Sequence, residues 1–234
     1  MFQRHDFHVH TYYSDGVSSP VKVVESAAEK KLKAVAITDH GPDLAVGIEP
    51  GKVGQMIEDI NILKADAEIF VLSGLEANIL NPEGDIDIRD KVQEKLDIVL
   101  AGIHYISSSE ISPKRMARNY FESVMNAMKN HEIDILAHPF WYREDLSSYL
   151  DREDLEKFAE TSVERDVAIE LNEKYRVPNR KFLSICEEKD AKFSLGTDAH
   201  ALDQIGEFGW STNMLKEAGI DRKDLIVEKF CKEK

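Results

Sequence analysis

The chain contains few of the features on which small extracellular domains and membrane proteins depend. Two of its 234 residues are cysteines, Cys186 and Cys231, and they lie far apart in Lys/Glu-rich stretches. This spacing argues against a disulfide framework and indicates reduced thiols. No apolar run approaches the length of a membrane span, and no apolar leader follows Met1. We therefore expect a cytoplasmic protein that does not contact a membrane.

Linkers and positive charge are also scarce. No Pro/Gly/Ser-rich tract, low-complexity segment or repeat of fixed length marks a domain boundary, so residues 1–234 are expected to form a single domain. Lysine and arginine number 30 against 44 aspartates and glutamates, which gives a formal net charge of -14. A surface of this charge repels polyanions, unless bound divalent cations reverse the charge at a pocket.

Short apolar runs alternate with helical segments along most of the chain. Seven of these runs have the nearly continuous apolar character of buried parallel strands. They span residues 6–10, 34–38, 69–72, 98–101, 133–136, 167–171 and 193–195. Between them, apolar residues recur at helical spacing, as Val24, Ala28 and Leu32 do after Pro20. This alternation predicts an α/β fold, most simply a closed or nearly closed TIM-like barrel of seven β/α units, with an open doubly wound sheet as the alternative.

Histidines and carboxylates follow the ends of these predicted strands. His8 and His10 lie two residues apart on one strand, so their side chains point the same way and can hold one metal between them. Candidate ligands occur at the carboxyl ends of six of the seven runs, where the functional groups of a β/α barrel gather. The nine candidates are His8, His10, Asp15, His40, Glu76, His104, His138, Asp198 and His200.

The chemistry of this donor set points to a cluster of divalent metal ions. Imidazoles and carboxylates without thiolates suit zinc, manganese or iron. Nine ligands exceed the needs of one ion, so we expect two or three neighbouring ions, with Glu76 and Asp198 suited to bridging. Ions about 3.5–4 Å apart hold a hydroxide between them and stabilise both the attacking and the leaving oxygen at phosphorus. The pattern therefore predicts hydrolysis of phosphate esters.

The motifs around these residues resemble those of the PHP (polymerase and histidinol phosphatase) family over essentially the whole chain. The matching stretches, in the family's order, are His-Val-His-Thr-x-x-Ser-Asp-Gly from residue 8, Ile-Thr-Asp-His from 37, Gly-Leu-Glu-Ala-Asn-Ile from 74, Gly-Ile-His from 102, Ala-His-Pro from 137 and Gly-Thr-Asp-Ala-His from 196. The resemblance implies a distorted seven-stranded barrel, a trinuclear metal site and phosphoesterase activity.

The same resemblance implies how the ligands divide among three metals. It places His8, His10, Glu76 and Asp198 at the first, Glu76, His104 and His138 at the second, and Asp15, His40 and His200 at the third. The expected catalytic residues are Glu76, Asp198 and His200. We expect Asp39 to orient a ligand imidazole rather than to bind metal. His5, at the start of the first strand, is expected to lie at the surface.

Three basic residues in loops after the predicted strands are candidates for substrate binding. Arg143, Lys174 and Arg176 lie where loops overhang the metals and could hold the non-bridging oxygens of a phosphate. Trp141 and Tyr142 could form an apolar wall for a leaving group. The leading hypothesis is a metal-dependent, histidinol-phosphatase-like enzyme that hydrolyses small phosphomonoesters through a metal-bound hydroxide.

Two alternatives from other functional classes stay open. A 3′-5′ DNA exonuclease, as in polymerase-associated members of the family, needs a basic, aromatic-lined track that this acidic sequence lacks. A domain that binds metal without turnover, as degenerate relatives do, is disfavoured by the complete ligand set. A small phosphorylated substrate is thus the expected partner, and nucleic acid is a weaker candidate.

Overall fold

The computed structural model describes residues 4–106 and 112–231. Its strands are β1 (His5–Val9), β2 (Ala34–His40), β3 (Phe70–Asn78), β4 (Ile98–Gly102), β5 (Ile135–Leu136), β6 (Trp141–Tyr142), β7 (Glu144–Asp145), β8 (Ala168–Asn172) and β9 (Phe193–Gly196). Its α-helices are α1 (Pro20–Glu29), α2 (Val53–Asp66), α3 (Asp90–Gln93), α4 (Pro113–Asn130), α5 (Arg152–Glu164), α6 (Arg180–Glu188), α7 (Trp210–Ala218) and α8 (Val227–Phe230). Short 3-10 helices cover Pro50–Lys52, Leu146–Tyr149 and Arg222–Asp224.

Seven of these strands form one parallel sheet. Their order across the sheet is β1-β2-β3-β4-β5-β8-β9, which is also their order along the chain, and every pairing is parallel. A parallel bridge between Val9 and Ala199 brings the end of β1 beside the segment that follows β9. The sheet is therefore a nearly closed barrel whose strands alternate with helices, and the predicted α/β barrel is confirmed.

Buried polar side chains help to close the barrel between β1 and β9. The backbone N–H of Leu195 donates to His5 Nε2 at 3.0 Å. The Asp6 carboxylate accepts hydrogen bonds from the Thr197 hydroxyl at 2.6 Å and the Gly206 amide at 2.9 Å. Burial outweighs these hydrogen bonds and raises the pKa of Asp6 to about 6. The expectation that His5 lies at the surface is wrong, because its side chain is fully buried in this seam.

Four of the covering helices begin at side-chain caps that are visible in the sequence. The residues Ser19, Ser112, Asp151 and Asn179 precede α1, α4, α5 and α6, and each accepts a hydrogen bond from a backbone amide in the first turn. The apolar faces of the helices join the strand side chains in one continuous core. Local start signals and apolar periodicity together explain why these segments cover the sheet.

The remaining sequence expectations concern cysteine and membrane contact. Cys186 and Cys231 are both buried and free, which agrees with the predicted reduced thiols. Among the described residues, no helix is both long enough and apolar enough to cross a membrane. One element was not predicted: β6 and β7 form a short antiparallel hairpin after β5.

Gly74 marks a position where β3 packs against β4 with no room for a side chain. A Cβ there would lie 2.7 Å from both the carbonyl oxygen and Cγ2 of Ile98. We expect Gly74→Ala to lower the free energy of unfolding by about 1–3 kcal/mol, because backbone and a β-branched side chain must both move. Urea denaturation followed by circular dichroism measures the change.

The matched control is Gly54→Ala in α2. A Cβ at Gly54 meets no atom within 4 Å, and alanine favours the helix over glycine by about 1 kcal/mol or less at such a position. The control should therefore be neutral or slightly stabilising. Equal stability of the two variants would contradict the close packing of β3 on β4.

Candidate metal centre

The nine candidate ligands converge at the carboxyl end of the barrel. His8, His40 and Glu76 lie within β1, β2 and β3, and the other candidates lie in the segments that follow β1, β4, β5 and β9. Parallel strands place their carboxyl ends at one edge, so side chains distant in sequence meet there. The register also places Glu76 directly beside His40 on the neighbouring strand.

The carboxylate of Glu76 lies at the middle of the cluster and is fully buried. Its Oε1 lies 2.8 Å from His138 Nε2 and 3.3 Å from His104 Nε2. Its Oε2 lies 2.7 Å from His40 Nδ1 and 3.3 Å from His8 Nε2. Four imidazoles from four different strands or their ends therefore approach a single carboxylate.

Two aspartates extend the cluster around His10 and His200. Asp198 Oδ1 lies 3.5 Å from His10 Nε2 and 3.4 Å from His200 Nδ1. Asp15 Oδ1 lies 3.2 Å from His200 Nε2 and 3.7 Å from His40 Nε2. The structure thus brings all nine predicted ligands into one connected group.

Donor atoms within this cluster form three overlapping groups, in each of which all donors lie within 4.8 Å of one another. The groups are His8, His10 and Asp198; His40, Glu76 and His104; and His10, Asp15, His40 and His200. They overlap with the three sets implied by the family resemblance, but His10 and His40 each belong to two groups, and His138 belongs to none. A donor set of this kind can hold two or three divalent ions.

The hydrogen bonding of the cluster fits bound cations. In the described part of the chain, seven buried ligand atoms make no well-aligned hydrogen bond, although two of them, His40 Nδ1 and Glu76 Oε2, lie 2.7 Å apart. The seven atoms are His8 Nε2, His10 Nδ1, His10 Nε2, His40 Nδ1, Glu76 Oε2, His104 Nδ1 and His138 Nδ1. Leaving one buried polar atom unsatisfied costs about 1–3 kcal/mol, so their concentration at one place needs an explanation. Metal coordination would satisfy those that face the interior of the cluster.

The charge states of the two central carboxylates also suit metal binding. Burial raises the pKa of the Glu76 carboxyl, but the imidazoles of His104, His8 and His40 outweigh it and hold that pKa well below its ordinary value. The pKa of Asp198 is lowered in the same way: burial raises it, but the imidazoles of His8 and His10 lower it by more. Both side chains are therefore ionised at neutral pH, the state in which carboxylates bind metal.

Two of the candidate ligands have a strained backbone conformation. His138 and Asp198 have φ values of 30° and 54°, in a backbone region that residues other than glycine rarely adopt. Each such residue costs of order 1–3 kcal/mol and persists only where its surroundings determine it. The surrounding contacts thus fix both ligands in unfavourable conformations that aim them into the cluster.

Glu170 on β8 is a buried member of the site that the sequence analysis missed. Its Oε1 lies 2.8 Å from His8 Nδ1, and its Oε2 accepts a hydrogen bond from the His138 amide at 2.5 Å. It therefore orients two candidate ligands from outside the cluster, as carboxylates behind metal-bound histidines do. The sequence feature that could have indicated this role is the presence of a charged residue inside the apolar run 167–171.

Asp39 has a different role from the one expected. Its carboxylate accepts hydrogen bonds from the hydroxyls of Thr11 at 2.7 Å and Ser14 at 2.6 Å, and from the Thr11 amide at 2.8 Å. It orients no imidazole through these bonds. Instead it fixes the loop that carries Asp15, so its effect on the cluster passes through the backbone.

The three predicted substrate-binding residues lie in different surroundings. Lys174 Nζ lies 2.9 Å from Asp198 Oδ1, so this cation reaches the cluster. Arg143 is exposed at the turn of the β6–β7 hairpin, with its guanidinium 5.5 Å from the ring centre of Tyr142. Arg176 is also exposed. Among the described contacts, neither arginine has an ion pair with a candidate ligand.

The fold and the cluster together define a parallel α/β barrel with a histidine- and carboxylate-rich centre at its carboxyl end. The model of the PHP domain family matches residues 6–174, which carry all of the candidate ligands except Asp198 and His200. The chain belongs to the PHP domain family.

Two proteins named as probable phosphatases match nearly the whole chain. A probable phosphatase of Clostridium botulinum (strain Langeland) is 32% identical over 234 residues, covering 95% of this chain and 88% of the relative. A probable phosphatase of Thermoanaerobacter sp. (strain X514) is 28% identical over 246 residues, covering 98% and 94%. Both matches extend beyond residue 174, where the match to the family model ends.

Among solved structures, histidinol phosphate phosphatase from Lactococcus lactis subsp. lactis, complexed with zinc, L-histidinol and phosphate, is similar to this chain. The TM-score is 0.72 at 19% identity, and the match covers 94% of this chain and 95% of that chain. At this identity, the similarity shows a shared fold.

Glu170→Gln tests whether the carboxylate on β8 supports metal binding. An amide has one acceptor oxygen and would direct its NH2 group at one of the two donors that Glu170 now accepts from, so His8 or His138 should lose its orientation. We expect metal affinity to fall about 10–100-fold. Competition with a chromophoric chelator measures the affinity.

Glu188→Gln is the control, because this glutamate lies exposed on α6, where it pairs with Arg152 at 2.7 Å. It should leave metal affinity unchanged. Circular dichroism should show that both variants are folded. If the two variants bound metal equally well, the supporting role of Glu170 would be wrong.

Proposed function

We propose that this chain is a metal-dependent phosphatase that acts on small phosphomonoesters, with residues 1–234 working as one catalytic domain. The observation that carries the proposal is the convergence of four imidazoles on Glu76 within one connected group of nine candidate ligands. Seven buried polar atoms of this group lack well-aligned hydrogen-bond partners. The relatives named as probable phosphatases support the reaction class. The zinc, L-histidinol and phosphate in the Lactococcus structure agree with a small phosphorylated substrate and with zinc as one candidate metal.

The proposed metal ligands are the nine residues predicted from the sequence. Glu76 would bridge two ions, because its two oxygens approach different pairs of imidazoles. Asp198 and His200 would complete the catalytic set on the far side of His10. When bound, divalent ions supply Lewis-acid stabilisation of the charge that develops on the phosphate and on the attacking water. Zinc, manganese and iron all suit these ligands.

Differences in burial indicate from which side a substrate approaches. The side chains of His8, His10 and Glu76 are fully buried, whereas those of Asp15, His104 and His200 are 30%, 19% and 22% exposed. The cluster is thus closed toward the barrel interior and open along one side. A phosphate group would enter on this open side, and the buried residues would exclude water beneath it.

Lys174 is the side chain best placed to bind the phosphate. Its ammonium has three donor positions, and the hydrogen bond to Asp198 Oδ1 uses one of them. Because the side chain is 39% exposed, the remaining donors can reach a non-bridging oxygen. Arg143 and Arg176 stay candidates for the same role, although their exposed positions at turns favour a smaller contribution.

A substrate panel is the direct test of this proposal. With manganese or zinc added, the protein should hydrolyse small phosphomonoesters with higher catalytic efficiency than it degrades a labelled single strand of DNA, since its net charge of -14 repels a polyanion. Release of inorganic phosphate and gel analysis of the strand measure the two activities.

Glu76→Gln identifies the site responsible for that activity. We expect turnover to fall at least about 1,000-fold, because one bridging oxygen and one charge are lost and the ions dissociate. Glu187→Gln, an exposed position on α6, is the control and should keep full activity. Faster degradation of DNA than of every monoester would favour the exonuclease, and absence of both activities would favour a non-catalytic metal-binding domain.

Lys174→Met separates phosphate binding from metal binding. The loss of a charged hydrogen bond should raise KM about 10–100-fold, while metal content and thermal stability stay close to those of the wild type. Arg143→Ala and Arg176→Ala should each change KM less than about threefold. Steady-state kinetics and elemental analysis decide the matter, and an unchanged KM for Lys174→Met would remove this residue from the substrate site.

A further inference from the structure

Two aromatic side chains form a stacked pair beside the metal centre. The ring centroids of Trp141, on β6, and Tyr175, in the loop after β8, lie 4.9 Å apart with 18° between their planes. Both side chains are only partly buried. The pair thus joins two loops that are separate in sequence and keeps part of its aromatic surface accessible to solvent.

The pair lies next to the residues proposed to bind metal and phosphate. The Tyr175 ring meets the His138 ring edge-on, with centroids 5.7 Å apart and 86° between planes. Lys174 Nζ lies 5.1 Å from the Tyr175 ring centre and 2.9 Å from Asp198 Oδ1. A phosphate bound by Lys174 would therefore carry its alcohol portion past Tyr175 and Trp141.

Trp141 is not among the residues that build the hydrophobic core. Its neighbour Tyr142 packs against the core and contacts the Arg143 guanidinium at 5.5 Å. Adjacent residues on a strand point in opposite directions, so Trp141 is directed away from the core and toward Tyr175. The aromatic partner of Trp141 is therefore Tyr175, and not Tyr142 as expected from the sequence.

The backbone on both sides of the pair is held in place by specific contacts. Arg143 and Arg176, which directly follow Tyr142 and Tyr175, have φ values of 62° and 56°, and such strained turns persist only where the surroundings fix them. The Tyr175 amide donates to Asn172 Oδ1 at 3.0 Å. The two rings therefore form a preorganised surface, which lowers the entropic cost of binding against it.

We propose that the Trp141–Tyr175 pair determines the specificity for the leaving group. It favours phosphomonoesters whose alcohol carries a flat, unsaturated ring over those with a small alkyl or polyhydroxylated alcohol. A flat ring covers the accessible aromatic surface and gains stacking contacts, whereas a polyhydroxylated alcohol would lose hydrogen bonds to water against these apolar faces. This inference rests on the proposed phosphatase function.

Binding of two stable phosphomonoester analogues tests the inference without requiring turnover. Phenylphosphonate and methylphosphonate carry the same charged group and differ only in the ring. Isothermal titration of the zinc-loaded protein should show phenylphosphonate binding about three- to tenfold more tightly. In Trp141→Ala this ratio should fall toward one while the affinity for methylphosphonate is unchanged, and Trp141→Phe should keep most of the preference.

Tyr149→Ala is the matched control, because Tyr149 is a partly exposed aromatic residue in the 3-10 helix after the hairpin, bonded through its hydroxyl to Glu144. It should leave the ratio at the wild-type value. An equal affinity of the wild type for both phosphonates, or an unchanged ratio in Trp141→Ala, overturns the inference. Binding of neither phosphonate overturns it as well.

Hydrolysis of phenyl phosphate and methyl phosphate is measured in parallel on the same preparations. Absence of turnover with a preserved phenylphosphonate preference would reject the phosphatase proposal and keep the aromatic pair as a ligand-binding surface. Turnover with no ring preference would keep the phosphatase and reject the role of the pair.

Discussion

The structure depends on the burial of one ionised carboxylate, Glu76, among four imidazoles at the end of the barrel. Removing a charge from water costs several kcal/mol unless opposite charge and hydrogen bonds replace the lost hydration. The imidazoles meet part of this requirement, but several donor atoms in the cluster have no hydrogen-bond partner. Divalent ions at this position would supply the missing positive charge, and the folded state would then be stabilised by its ligands.

Packing around the cluster shows how closely the barrel is fitted to it. A Cβ at Gly196 would lie 1.8 Å from Glu170 Oε1 and 2.8 Å from His8 Cβ. Glycine at the end of β9 therefore makes room for the contact between Glu170 and His8, which orients a candidate ligand. The strained backbone at His138 and Asp198 is a further local cost, and the apolar core beneath the site must offset it.

The sequence predicted the fold and the convergence of the nine candidate ligands because both follow from local patterns. Apolar runs separated by helical segments specify parallel strands, and a residue at the end of such a strand must lie at the mouth of the barrel. His40 and Glu76 become neighbours by register alone. No knowledge of side-chain packing is needed for that step.

The features that the sequence did not predict depend on contacts between distant residues. In the sequence, Glu170 is a single charged residue within an apolar strand. Its contact with His138 arises only because β8 pairs with β5 in the sheet. His5 is buried because the last strand returns to the first. The pairing of Trp141 with Tyr175 rather than with Tyr142 follows from the hairpin, which two-residue strands do not reveal in a sequence.

The most direct test of the account is a crystal structure of the protein purified without chelators, with anomalous diffraction recorded at the absorption edges of zinc, manganese and iron. The account predicts two or three anomalous peaks inside the cluster, with Glu76 contacting two of them and imidazoles from β1, β2 and the ends of β4 and β5 among the ligands. No anomalous peak inside the cluster after soaking in zinc or manganese, with the histidines instead paired directly to Glu76 and Asp198, would contradict it.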